Sequence, residues 1–236
     1  MKKKMTVFLL ILISIAASAA LASSAASISP EEALQKLLDG NKHYVANKLD
    51  YASSCDAASR KALANSQKPY AVILTCSDSR VPPEIIFNKG LGEIFVIRVA
   101  GNVPDPVVIG SIEYAVEHLG TPLIMVLGHE RCGAVKATVE AKGKSTGSKN
   151  IDAIVKTIAA STKVAARDCE ACKADPKCAE NKAGEFAECL ADANAKNIAA
   201  NLTKQSGILK HLVKDKKIKI VAAKYDLDDG LVTLFK

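Results

Sequence analysis

The sequence predicts an α/β domain built round a parallel sheet. Three short runs, Tyr70 to Thr75, Ile94 to Val99 and Leu123 to Leu127, are apolar almost throughout and lack polar alternation, as strands buried on both faces do. Between the second and third, from about Pro106 to Leu119, Val108, Ile112, Ala115, Val116 and Leu119 recur at helical spacing. Strands alternating with helices define the class. The chain has 236 residues and no stretch resembling an interdomain linker, which points to a single domain. With 49% hydrophobic and 24% charged residues the composition is globular, excluding disordered and collagen-like classes. Trp is absent and aromatics are scarce, which argues against a stacking platform for single-stranded nucleic acid.

Taken in order, the chain opens with Met1-Lys2-Lys3-Lys4 and an apolar, small-residue run from Val7 to Ala22, the signature of a secretory signal peptide over residues 1–26. Small residues suit cleavage after Ala22 or Ala26, and the strongly apolar part is shorter than the roughly 20 residues a membrane span needs. The expectation is a periplasmic or secreted protein with no membrane attachment after signal removal, and one domain over residues 27–236. Losing three lysines and no acids lowers the net charge from +7 to +4. The remaining lysines are scattered, apart from Lys214 to Lys219, which reads as a solvated loop before a strand, so no nucleic-acid partner is expected.

Ser29-Pro30-Glu31-Glu32 is a helix start, with Ser29 as N-cap and Glu32 completing a capping box. Leu34, Leu37, Leu38, Tyr44 and Val45 then share a face, which could cover the chain's own core or a partner subunit. A shorter helix is expected around Asp56 to Asn65. After Cys132 the pattern predicts a helix to about Ala141, a loop at Gly143 to Ser148, a helix over Ile151 to Ala166, a cysteine-rich insertion over 168–190, and a helix over about Ala191 to Leu202. Two runs, Ile218 to Tyr225 and Leu231 to Phe235, flank Asp228-Asp229-Gly230 and read as a terminal hairpin.

Chemistry concentrates in Cys76-Ser77-Asp78-Ser79-Arg80 and His129-Glu130-Arg131-Cys132. Cys76 directly follows the first buried run and His129 lies two residues beyond the third, so both fall beyond the carboxyl ends of strands, where open α/β sheets bind ligands. Two thiolates and an imidazole suit zinc better than harder cations, and three protein ligands leave a tetrahedral ion one position for water, which then ionises near neutral pH. Two thiolates cancel the ion's charge and acidify that water less than three neutral imidazoles would, so activity should rise towards alkaline pH. Asp78 can stand next to the metal, held by Arg80 in a charge-assisted pair, and so orient the hydroxide as a hydrogen-bond acceptor. Taken singly, a buried cysteine is a small hydrophobe, Asp78 with Arg80 a surface pair and His129 a loop histidine; their joint placement favours the site. His43, His118 and His211 fall in helical patterns and read as structural or exposed.

Cys76-Ser77-Asp78-Ser79-Arg80-Val81-Pro82-Pro83-Glu84, Arg98-Val99-Ala100-Gly101-Asn102 and Gly128-His129-Glu130-Arg131-Cys132-Gly133-Ala134 together resemble the β-class carbonic anhydrases, with similarity from about Ser29 to Phe235 that includes Leu37-Leu38-Asp39-Gly40-Asn41-Lys42. The resemblance implies zinc-dependent, reversible hydration of carbon dioxide to bicarbonate and a proton, with Cys76, His129 and Cys132 on one Zn2+ per subunit and Asp78 with Arg80 as the dyad. It implies a mostly parallel sheet of four strands with an added C-terminal edge strand, flanked by helices, and an N-terminal helical arm. It further implies a homodimer or dimer of dimers, with Gly101 and Asn102 lining the cleft. Hydrolysis of carbonyl sulfide or carbon disulfide on the same scaffold is the nearest alternative reaction; from other classes, the alternatives are a non-catalytic zinc or bicarbonate binder and an envelope redox protein using the cysteine cluster.

Cys169, Cys172, Cys178 and Cys189 depart from that pattern. A haem attachment site needs His where Lys173 stands, and a thioredoxin-type pair needs a preceding strand where a helix is expected. Two disulfides suit an exported protein, and a structural zinc is the alternative. Four cysteines allow three pairings. The intervals, three residues on one side and eleven on the other, do not match in helical rise, so a partly irregular segment is expected. Cys55 is left over as a buried, inert thiol.

Overall fold

The computed structural model describes residues 28–172, 175 and 177–236; the expected signal peptide falls outside them. Helix α1 (Pro30–Val45) starts as expected: the Ser29 side chain accepts the Glu32 N–H while Glu32 reaches back to the Ser29 N–H. Its inward face is Ala33, Leu37, Gly40 and Asn41, with Leu34 and Tyr44 packed partly against the core. Val45, expected on that face, is exposed, because it lies in the last turn beyond the edge of the core. Gly40 is required by close approach, since a Cβ there would stand 1.8 Å from the Phe87 carbonyl oxygen. Beside it, buried Asn41 donates to the carbonyls of Ile86 and Gly230 and accepts the Val232 N–H, tying α1 to the C-terminal hairpin.

Helix α2 (Ala57–Leu63), capped by Asp56, leads to β1 (Ala71–Thr75). After the short α3 (Pro83–Ile86) come β2 (Ile94–Arg98), α4 (Pro106–His118), β3 (Leu123–His129) and α5 (Gly133–Ala141). α6 (Lys149–Ala159) and α7 (Thr162–Asp168) occupy the stretch expected as one helix. The break falls at Ser161, fully buried, whose hydroxyl oxygen accepts from Asn197 Nδ2 at 3.1 Å; this buried corner redirects α7 along the long helix. α8 (Cys178–Asn181) is a single turn. α9 (Ala183–Gln205) begins eight residues earlier than expected, because Phe186 and Leu190 extend its buried stripe through the cysteine cluster. α10 (Gly207–Lys214), β4 (Lys219–Tyr225) and β5 (Val232–Leu234) complete the chain.

The five strands run β2-β1-β3-β4-β5, all parallel except β5, which pairs antiparallel with β4. Alternate strand residues feed two cores. Ala71, Ile73, Met125 and Leu127 pack with Leu37 and Phe87 on one face, and Val72, Leu74, Ile124 and Val126 pack with Ile112, Ile198 and Leu202 on the other. Burial on both faces explains why β1 and β3 carry no polar alternation; β2, expected to be buried likewise, is only half-buried because it lies at the sheet edge. A third cluster caps the carboxyl edge of the sheet and holds Cys76 and Cys132 with Ile158, Phe186 and Leu190.

The insertion carries the expected two bridges, Cys169–Cys189 and Cys172–Cys178, in an irregular segment. The first joins the end of α7 to α9; the second closes a small loop. Cys55 is half-buried rather than buried, because its short 3-10 turn at Tyr51–Ser54 lies at the surface.

Candidate metal centre

Strand register assembles the site. Thr75 pairs with Leu127, so Cys76, next after β1, and His129, the last residue of β3, stand on neighbouring strand ends. Cys132 is the N-cap residue of α5, three residues on. All three are at least 95% buried, at 5%, 1% and 5% exposure. Their ligand atoms lie within 4.8 Å of one another, and the two sulfurs are 4.0 Å apart. Two sulfurs each about 2.3 Å from a tetrahedral zinc stand about 3.8 Å apart, so the pair is already set to the ion's span.

The histidine is prepared in the same way. Its Nδ1 lies 2.8 Å from the Glu130 carbonyl oxygen, which can only accept, so Nδ1 carries the proton and Nε2 presents a bare lone pair. Nε2 is buried with no hydrogen-bond partner, an unfavourable state that a cation would relieve. The donor set, its spacing and this orphaned nitrogen all fit zinc.

The two thiols move in opposite directions as acids. The hydrogen bond from Cys132 does most to draw Cys76 down, helped by the N–H groups of Gly101 and Asp78. Cys132 is pushed up by that same bond and by burial next to the Cys76 charge. Two thiols this close share one proton when alone, and a dication favours both as thiolates.

Beside them, Arg80 grips Asp78 in fork geometry, Nε to Oδ1 at 2.9 Å and Nη2 to Oδ2 at 2.7 Å, while the Arg80 N–H also reaches Oδ1 at 3.0 Å. These bonds hold the Asp78 carboxyl well below the usual carboxylate range, against partial burial. Arg80 Nη2 also donates to the Arg131 carbonyl at 3.3 Å, joining the two motif loops.

Gly101 and Asn102, expected at the cleft, are both buried at the end of β2. Gly101 has φ +67°, and its N–H points at Cys76 Sγ, 3.3 Å away. Asn102 is 3% exposed, with Nδ2 unpartnered.

Three residues escaped the sequence reading of the site. Arg98 donates to the carbonyls of Cys76 at 3.0 Å and Asp78 at 2.5 Å, pinning their loop; it was visible as the one charge in an apolar strand. Glu188 and Asn194, on α9, contact the ligand loops and carry no local signal.

An α/β protein whose parallel sheet presents a buried Cys2His cluster able to hold a metal, beside a carboxylate–guanidinium pair at its carboxyl edge, has in class the make-up of an enzyme site. Residues 71–232 match the family model described as carbonic anhydrase. The chain is 37% identical over 207 residues to carbonic anhydrase 2 of Mycobacterium tuberculosis, covering 87% of this chain and 93% of the relative. The solved β-carbonic anhydrase CcaA superposes with a TM-score of 0.66 at 23% identity, over 86% of this chain and 95% of that one. A tetrameric β-carbonic anhydrase of Sordaria macrospora does so with 0.64 at 20% identity, over 86% and 97%. The chain belongs to the β-carbonic anhydrase family of enzymes.

Proposed function

We propose that this protein hydrates carbon dioxide reversibly to bicarbonate and a proton at a zinc ion held by Cys76, His129 and Cys132. The observation that carries the reading is a preset three-ligand site, with sulfurs 4.0 Å apart and His129 Nε2 orphaned, placed beside a carboxylate already engaged by an arginine. Zinc, when bound, supplies a Lewis acid that renders a water nucleophilic near neutral pH. Asp78, kept ionised, can only accept hydrogen bonds, so it takes one from the attacking water and turns a lone pair towards carbon dioxide. Arg80 keeps both carboxylate oxygens occupied and so prevents Asp78 from filling the fourth ligand position. Arg98 holds the Cys76 and Asp78 carbonyls and keeps ligand and acceptor in one register.

Stopped-flow carbon dioxide hydration on zinc-loaded wild type and Cys76→Ser, with metal content measured in both, tests this. Wild type should accelerate hydration and the variant should lose zinc and rate together. No rate above buffer for zinc-loaded wild type would overturn the reading.

The same reading includes a single catalytic domain over 27–236 behind a cleaved signal, exported to the periplasm or medium. Two disulfides support an oxidising compartment. Amino-terminal sequencing of the mature protein should begin at Ser23 or Ser27. A dimer or dimer of dimers is supported by the edge strand β2, whose apolar residues are only half-buried and whose outer side is unpaired among the described residues. Among those residues, no helix is long and apolar enough to cross a membrane.

A further inference from the structure

One helix touches the flanks of all three ligand segments. α9 lies against β3 at Gly128, where an added Cβ would stand 3.1 Å from Ala195 Cβ and 3.5 Å from the Ala191 carbonyl oxygen, and Gly128 directly precedes His129. Asn194, 1% exposed, donates to the Gly101 carbonyl at 3.0 Å, and the Gly101 N–H in turn donates to Cys76 Sγ. Glu188 Oε1 accepts the Arg131 N–H at 2.9 Å, and Arg131 directly precedes Cys132.

The last contact stands out on conformational grounds. Arg131 has φ +50°, in the left-handed region that a residue with a Cβ occupies only when its surroundings over-determine it. Its guanidinium is gripped by exposed Asp228, at 2.8 and 3.0 Å, through a long side chain that does not itself fix the backbone, and its carbonyl accepts a longer bond of 3.3 Å from Arg80 Nη2. Its N–H is engaged by Glu188. The second carboxylate oxygen of Glu188 is buried with no hydrogen-bond partner, an unfavourable arrangement that packing alone would not favour over an apolar side chain. The Cys169–Cys189 bridge, adjacent in sequence, anchors this turn of α9 to the end of α7.

We infer that Glu188 is a positioning residue for the metal ligand Cys132: by holding the Arg131 backbone in its left-handed conformation it aims Cys132 Sγ into the site. The inference rests on the zinc reading of the centre. Glu188→Gln keeps an oxygen acceptor at the same reach, whereas Glu188→Met keeps length and stem without it; Glu188→Ala is a second variant lacking the acceptor. Zinc affinity by competition with a chromophoric chelator, and the thiolate-to-metal charge-transfer band of the cobalt-substituted protein, read ligand geometry independently of turnover. The Gln variant should stay within about threefold of wild type in affinity and keep its band, while Met and Ala should lose about tenfold or more and shift it. Wild-type affinity and band in Met or Ala, or an equal loss in Gln, would overturn the inference and leave the zinc reading standing. Failure of wild type to bind zinc would overturn both.

Discussion

Arg80 engages both carboxylate oxygens of Asp78 through parallel hydrogen bonds of 2.9 and 2.7 Å. On the proposed zinc reading, the pair separates two fates of the carboxylate, acceptor for the attacking water or fourth ligand to the metal. Asp78→Ala removes both and leaves the three ligands untouched, so it should retain zinc while the hydration rate falls on the order of 100-fold. Loss of metal in that variant would show that Asp78 is itself a ligand. Arg80→Ala should also lower the rate while adding a protein oxygen to the zinc shell, seen by X-ray absorption.

The pH profile follows from the charges. Asp78 stays ionised throughout the working range because Arg80 hydrogen-bonds its charged form, so it contributes no limb near neutrality. Two thiolate ligands offset the ion's charge, and the rate should climb from pH 6 to pH 9. A flat profile for zinc-loaded protein would contradict that charge argument. Since the folded pKa of Asp78 lies below the unfolded value of about 3.9, its stabilising contribution is present above that value and lost as pH falls through the folded one. The stability difference between wild type and Asp78→Asn, read by urea unfolding, should therefore be larger at pH 6 than at pH 3.

Strands β1 and β3 were legible because residues buried on both faces leave no polar alternation, β2 was legible by its apolar run although it is only half-buried at the edge, and the ligands were legible because Cys76 and His129 close β1 and β3. The α6–α7 break was not, since helical spacing continues through Ser161 and the bend depends on Asn197, distant in sequence. The start of α9 was hidden by cysteines that suggested irregular chain, although Phe186 and Leu190 already carried its stripe. Pairing of the four insertion cysteines had three solutions that only tertiary placement decides. Glu188 was illegible for the same reason: its partner is the backbone of Arg131, 57 residues away.

The two bridges should differ in worth. Loop-closure entropy assigns about 3 kcal/mol to a bridge spanning 20 residues, as Cys169–Cys189 does, and about 2 kcal/mol to one spanning six, as Cys172–Cys178 does. Paired alanine substitutions at Cys169 and Cys189 should therefore lower unfolding free energy more than those at Cys172 and Cys178. The first pair alone should also weaken zinc binding, because only that bridge anchors α9 beside Glu188. Equal effects of both pairs on zinc affinity would break the link between bridge and site.

Two glycines give opposite expectations for one substitution. Gly110, within α4, has nothing within 4 Å of an added Cβ, so Gly110→Ala should stabilise by about 0.4–1 kcal/mol by restricting the unfolded chain. Gly101 has φ +67°, and its added Cβ would meet Ile158 Cδ1 at 2.6 Å and Ala134 Cβ at 3.1 Å. The Ile158 side chain can give way, but the left-handed backbone still costs about 1–2 kcal/mol with a Cβ in place. Relief by rotating the peptide would swing the Gly101 N–H away from Cys76 Sγ and its carbonyl away from Asn194. Gly101→Ala should thus lose at least about 1 kcal/mol in urea unfolding and bind zinc more weakly by chelator competition. A variant destabilised but unchanged in zinc affinity would show that the strain is absorbed without moving the donor to Cys76.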